Sequence, residues 1–194
     1  MTPVEIALPN GTVVALRPLI AEDRDDLADG LERLSTESRY RRFMTPISRL
    51  TSRELTYFSE LDYRDHFAWG VQVVTEAGPD GAGVARYIRL PNERAGADAA
   101  FTVLDEYQGQ GIGQVLFMAL AIAGRLNDLE RFHFDVLADN RPMLGVLHKF
   151  GVLMDPISEG LTHGVLEIAP FVEGLASWPP AEALTGLVEA VRRR

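Results

Sequence analysis

The segment Gln108-Gly109-Gln110-Gly111-Ile112-Gly113-Gln114 holds the residue types and spacing that point most directly at chemistry. It stands between a stretch that reads as a strand, ending near Leu104, and an apolar stretch starting at Gly111. Glycines let a backbone approach a ligand closely, and the amides at a helix start present the positive end of its dipole. A strand, a glycine loop and a helix in this order suit a pyrophosphate. They equally suit a tight turn with no ligand, and these residues alone leave both open. A P-loop needs Gly-Lys-Ser/Thr, which is absent, and a dinucleotide fingerprint needs Gly-x-Gly-x-x-Gly early in a βαβ unit. Here Gln114 stands where the last glycine would be.

A second block, Asp139 to Gly151, reads as a short helix over Arg141 to Phe150, with Asn140 as N-cap and Gly151 as the C-terminal stop. The chain's single lysine, Lys149, lies in it, against eighteen arginines elsewhere. Six of those arginines (33, 39, 41, 42, 49 and 53) crowd a segment whose one acid is Glu37. That segment reads either as a solvated face or as an aid to a phosphate or an acidic substrate group. The four histidines, His66, His133, His148 and His163, show no His-x-x-x-His spacing, and cysteine is absent. No metal site is therefore expected, and thiol catalysis is excluded.

The elements that must position these residues follow from periodicity. Residues 4–20 read as a hairpin about Asn10-Gly11. Ile20, Leu27, Leu31 and Leu34 mark an amphipathic helix with acids in its first turn. A polar, Arg-rich stretch leads to a second short helix near Thr51 to Leu61. Phe67 to Thr75 and Val84 to Leu90 read as strands joined by a turn at 78–81, and Ala97 to Leu104 as another. Gly111 to Leu126 is apolar nearly all round, so it is expected as a helix buried against a sheet. Strands follow at Arg131 to Ala138 and Val165 to Ile168. A last helix, Ala181 to Arg193, ends in Arg192-Arg193-Arg194. The fold class expected is a mixed α/β (α+β) sheet, with residues 1–174 as one domain and 175–194 as a helical extension.

The 194 residues carry 28 acids and 19 bases, a net charge of −9, and are 46% hydrophobic. A core is affordable, and generic nucleic-acid or anionic-membrane binding is disfavoured by repulsion. The longest apolar run, Val115 to Ala123, is far short of the roughly 20 residues of a membrane span. No secretory signal is visible after Met1, so a cytoplasmic location is expected.

Gln108-x-x-Gly111-x-Gly113 resembles the acyl-CoA pyrophosphate motif of the GCN5-related N-acetyltransferases (GNAT), and Asn140 to Gly151 resembles that family's following helix. Ser35 to Phe43, Asp62 to His66 and Ala100 to Gly109 are similar to the catalytic domain of bacterial protein lysine acetyltransferases of the Pat type, a likeness covering roughly residues 12–170. In some such proteins a cyclic-nucleotide-binding domain precedes the catalytic one. So few residues precede the first strands here that control of that kind in cis is not expected.

The resemblance implies the GNAT fold, with splayed central strands and a mostly antiparallel twisted sheet flanked by helices. It implies acetyl-CoA as co-substrate and direct attack of an amine on the thioester. Phe101, Thr102 and Val103 would meet the pantetheine, with the Val103 amide polarising the carbonyl. Gln108, Gly109, Gln110, Gly111, Ile112, Gly113 and Gln114 would hold the pyrophosphate, and Asn140 and Lys149 would contact CoA from the other side. Asp98 falls where Pat-type enzymes carry a glutamate base, one methylene shorter, with Glu93, Asp105 and Glu106 as fallbacks. Leu147 occupies the position of the tyrosine acid of many family members. His66 would line the substrate cleft or fix the Tyr63-Asp65 turn. The expected acceptor is protein lysine, with a small amine as the alternative and a non-catalytic acyl-CoA-binding module as the alternative of another class. The final helix packs in cis or pairs two chains as a homodimer.

Overall fold

A computed structural model describes residues 2–193; Met1 and Arg194, the last residue of the expected basic helix end, lie outside the described residues. Strands β1 (Val4–Ala7) and β2 (Val13–Pro18) form the expected hairpin. Gly11 takes φ +88° in its turn and Asn10 Oδ1 accepts from Thr12 N, so Asn-Gly sets the register there. The first helical segment is a 3-10 turn, Ala21–Asp23, running into α1 (Arg24–Arg33). Helices α2 (Thr36–Phe43) and α3 (Ser52–Ser59) follow. The Arg-rich stretch thus folds as a helix that periodicity does not reveal, because none of its residues is fully buried. Ser35 caps it through Ser38 N, and Thr51 and Glu54 form a capping box on α3.

Strands β3 (His66–Thr75), β4 (Gly78–Leu90) and β5 (Glu93–Val103) form a meander at the centre of the sheet. The turn expected at 78–81 lies instead at Glu76-Ala77, with Thr75 paired to Gly78. Gly78 takes φ +118° at the strand start, and a bulge opposite Val71/Gln72 absorbs the extra residue. Helix α4 (Ile112–Leu126) crosses from β5 to β6 (Arg131–Leu137), the one parallel neighbour in the sheet. Helix α5 (Arg141–Lys149), the short β7 (Leu153–Met154) and β8 (Leu161–Glu167) come next. The late strand begins earlier than expected. Ile168 opens α6 (Ile168–Glu173) instead of closing the strand, and α7 (Ala181–Arg192) ends the fold. The strand order is β1-β2-β3-β4-β5-β6-β8-β7.

Helix α4 is the centre of the core. It packs on β3, β4 and β5 and carries α6 and α7. Trp69 Nε1 donates to Ala119 O at 2.9 Å inside this layer. Leu184, Val188 and Val191 of α7 are buried in the same core. Helices α1, α2 and α3 lie toward the other face, where α1 and α2 contact β4 and β5. Among the described residues, no helix is long and apolar enough to cross a membrane.

One glycine is fixed by close approach. A Cβ on Gly83 of β4 would lie 2.5 Å from Thr102 O and 3.3 Å from Val103 Cα of β5. Backbone cannot yield as a side chain can, so Gly83→Ala is expected to cost about 1–3 kcal/mol. A urea unfolding midpoint lowered accordingly would bear this out, whereas an unchanged midpoint would show that β4 and β5 separate freely there.

Candidate active site

The site is built around a parting of strands. β5 pairs with β4 along its length, but with β6 only over Gly96–Asp98 against Arg131–His133. Beyond Asp98 the strands diverge and β6 continues against β8 alone. The hydrogen-bond phase then decides which groups face the opening. Leu104 N donates to Ala82 O of β4 at 2.9 Å, and strand groups alternate between edges. The N–H and C=O of Val103, Phe101 and Ala99 therefore face the gap, while Thr102 turns its own to β4. Gln108 Nε2 already bonds Val103 O at 3.1 Å.

Aromatic rings fill the α4 side of the parting. Phe101 stacks with Phe117 of α4 at 5.5 Å, Phe117 with Phe134 of β6 at 5.8 Å, and Phe117 with Phe150 at 4.8 Å. A cleft of about 330 Å³ remains above them. Phe101, Thr102, Val103, Gln108, Gly109, Gly111, Ile112, Gly113, Gln114 and Asn140 all line it. Gly109 and Gly111 take φ +74° and +97°, and no side chain caps α4, so its first-turn amides face the opening. Gln110 and Lys149 do not line the cleft. Gln110 bonds Glu106 O at 3.2 Å, and Lys149 Nζ reaches Gln114 Oε1 at 2.5 Å, joining α5 to α4. Asn140 Oδ1 accepts from Met143 N as an N-cap, which leaves its Nδ2 for other partners. Leu147 is fully buried.

Asp98 sits at the apex, opposite His133 in the last β5–β6 pair, and its carboxylate is on the face away from α4. Desolvation and then the like charge of Asp135 push its carboxyl above the ordinary aspartate value, against His133 and His163. Spacing alone does not reveal what surrounds it. His163 Nδ1 lies 2.9 Å from Asp135, His133 Nδ1 lies 3.2 Å from His163 Nε2, and His133 Nε2 lies 3.1 Å from Glu93, poorly aligned. The signal was the odd-numbered polar alternation of β6, which a strand pattern treats as solvent-facing.

The fallback carboxylates are engaged elsewhere. Glu93 pairs with Arg131 at 2.8 Å, which holds it below the usual range. Asp105 accepts from Ser35 N, Ser35 Oγ and Ser38 Oγ, tying α2 to the loop after β5. Glu106 pairs with Arg33, which also holds Asp80 at 2.8 Å. The arginine cluster is thus partly spent on ion pairs, with Arg41 on Glu37 and Arg49 near Glu32. Arg41 and Arg42 still line the cleft.

A match to the acetyltransferase (GNAT) domain spans residues 14–152. The chain belongs to the GNAT acetyltransferase family. It is 34% identical over 172 residues to the acetyltransferase Pat of Mycolicibacterium smegmatis, covering 88% of this chain and 50% of that protein. It is 30% identical over 137 residues to an acetyltransferase of Pseudomonas aeruginosa, covering 71% of this chain and 73% of that one. The GNAT domain of S. lividans PAT superposes with a TM-score of 0.78 at 25% identity, covering 85% of this chain and 96% of that domain. The chain thus spans half the length of its Pat relative. GNAT enzymes move acetyl from acetyl-CoA to amines.

His66 lies behind this site and is buried. Arg86 Nη1 donates to its Nε2 at 3.0 Å, Asp62 accepts from its backbone N, and Tyr57 packs on its ring at 5.0 Å. Its ring orients Arg86, while the Asp62 carboxylate fixes the turn by accepting from Arg64 N, Asp65 N and His66 N. Burial, then the Arg86 charge, push it down to about 4, against Asp62. The unfolded value is near 6.5, so the unfolded chain alone takes up this proton as pH falls. That stability is present above about pH 6.5 and is lost toward pH 4. Urea midpoints should fall over this window and fall less steeply in His66→Gln; equal slopes would contradict the burial of a neutral imidazole.

Proposed function

We propose that the chain transfers acetyl from acetyl-CoA to the ε-amino group of a protein lysine, with Asp98 as general base. The observation that carries the reading is the free β5 edge at Phe101 and Val103, leading directly into the uncapped start of α4. A pantetheine laid along that edge points its thioester toward the apex while its pyrophosphate meets the α4 amides. Val103 N–H is then placed to polarise the carbonyl, and a fixed donor aimed at developing negative charge is worth about 2.7–4 kcal/mol in comparable sites. Asn140 and Arg41 would meet CoA from the α5 and α2 sides.

The amine arrives on the opposite face, where Asp98 stands. A lysine ammonium must lose a proton before it attacks, and its ordinary pKa is about 10.4. Asp98 collects that proton directly or through one water, since its side chain is short. The CoA thiolate departs without a tyrosine acid, because thiols have pKa values near 8.5. The net charge of −9 attracts a cationic acceptor, and the likeness to Pat supports a protein lysine. A second reading, a small amine as acceptor, is favoured by a larger cavity behind β5.

Free CoA release measured with acetyl-CoA and a lysine-bearing protein tests this. Asp98→Asn is expected to lower kcat/KM by about 10²–10⁴, the range of a lost general base, with acetyl-CoA binding unchanged. An unchanged rate would remove Asp98 from the mechanism, and release that depends only on small amines would overturn the lysine acceptor.

A further inference from the structure

The larger cavity, about 460 Å³, lies under α1 and α2 against β3, β4 and β5, and falls in the size range of small-molecule sites. Arg42, Ala100 and Thr102 line both this cavity and the CoA cleft, so the two are separated only by the β5 chain. Its inner end is cationic. Arg86 is 5% exposed and has no ion pair among the described residues. Two of its five N–H donors are used, by His66 Nε2 at 3.0 Å and Phe58 O at 3.3 Å, and its guanidinium lies 4.5 Å above the Phe58 ring. The Arg42 side chain has no hydrogen bond and no ion pair among the described residues; its guanidinium lies 4.9 Å from the Phe43 ring.

Two guanidiniums without a counter-charge, Arg86 buried and Arg42 half-buried, are costly. Each is pushed down, Arg42 to about 10 and Arg86 to about 9, by burial first and, for Arg86, by Arg42 next. The acids of the cavity do not neutralise them. Asp23 is held by Arg17 at 2.7 and 2.5 Å and Asp80 by Arg33 and Tyr107, while Asp26 and Asp29 stand exposed on α1 at the rim. Among the described residues no carboxylate pairs with either guanidinium, so the inner pair suits an anion from solution.

We propose that this cavity binds a small organic carboxylate, held between Arg42 and Arg86. Guanidinium forks match carboxylate oxygens two to two, and the aromatic rings of Phe43 and Phe58 keep both forks oriented. The apolar lining from Leu31, Leu34 and Leu50 suits the carbon skeleton of such an acid. Arg86 is the cross-strand partner of Ala100, two residues from Asp98 on the same face. The carboxylate therefore lies beside the apex, where the bound acid is either itself the acetyl acceptor, if it carries an amine, or an effector of acetylation elsewhere.

The site is tested by titration calorimetry on the full chain, which reads binding whether or not acetyl transfer occurs. Glutarate, propionate and glycine are compared with glutaramide, propionamide, glycinamide and inorganic phosphate. At least one carboxylate should bind tenfold tighter than its amide, and Arg42→Gln should abolish that preference with an unchanged melting temperature. Arg42→Lys, which keeps the charge but loses the fork, should retain part of it. Because Arg86 holds His66 and Phe58, Arg42 is the variant that leaves the fold intact. No carboxylate binding at millimolar concentration, equal binding of the amides, stronger binding of phosphate, or an unaffected Arg42→Gln would each overturn the proposal. In a parallel arm, mass spectrometry with acetyl-CoA separates the two sources: an acetylated ligand marks an acceptor, and a changed rate on a lysine protein with unmodified ligand marks an effector.

Discussion

The arrangement depends on one constraint: β5 and β6 are hydrogen-bonded for three residue pairs and then are not. Unpaired strand edges are costly and invite association with other strands. Here the cost is tolerated because the rings of Phe101, Phe117, Phe134 and Phe150 occupy the α4 side of the gap, where strand pairing would otherwise bring the chains together. The wedge is held from below by Gly124, whose hydrogen leaves room for Phe132: a Cβ there would lie 2.6 Å from its Cζ. The gap is thus a product of packing, and its open backbone edge is the feature that can recognise an extended amide-bearing chain such as pantetheine.

The same parting divides the chemistry between two faces. Odd-numbered β5 side chains from Ala97 to Val103 face α4 and build the apolar wedge. Asp98, Ala100 and Thr102 face the helices of the other layer, together with Arg86, His133 and Asp135. Under the proposed function, acyl donor and acceptor approach from these separate faces and meet at Asp98, and net charge acts on only one of them. The chain of net −9 still suits a polyphosphate, because helix-start amides carry partial charges that a count of side chains omits. The acid excess acts instead on the approach of a cation.

Much of this was legible in the sequence where local rules act alone. Asn10-Gly11 fixed a hairpin, the near-continuous apolar run from Ile112 marked a buried crossover helix, and Asn140 with Gly151 bounded α5. The glycine spacing at 109, 111 and 113 marked the loop at the mouth of the cleft. Elements set by tertiary context were not legible. The turn at 78–81 was misplaced because Gly78 starts the strand and Gly81 pairs with Gln72 beside the bulge. Helix α2 was hidden because its stability comes from the Ser35 cap and from Asp105, seventy residues away. His133, His163 and Asp135 become one cluster only through the pairing of β6 with β8. Arg42 and Arg86 line one cavity only when α2 folds over β5, which no spacing in the chain announces.

The central claim is that the free β5 edge and the α4 amides together form the acyl-CoA site. Amide hydrogen exchange of the chain with and without acetyl-CoA tests it most directly. The account predicts slowed exchange confined to residues 99–103 and 109–114, with β1 and β2 unaffected. Unchanged exchange in those two segments at saturating acetyl-CoA, or protection centred elsewhere, would contradict it.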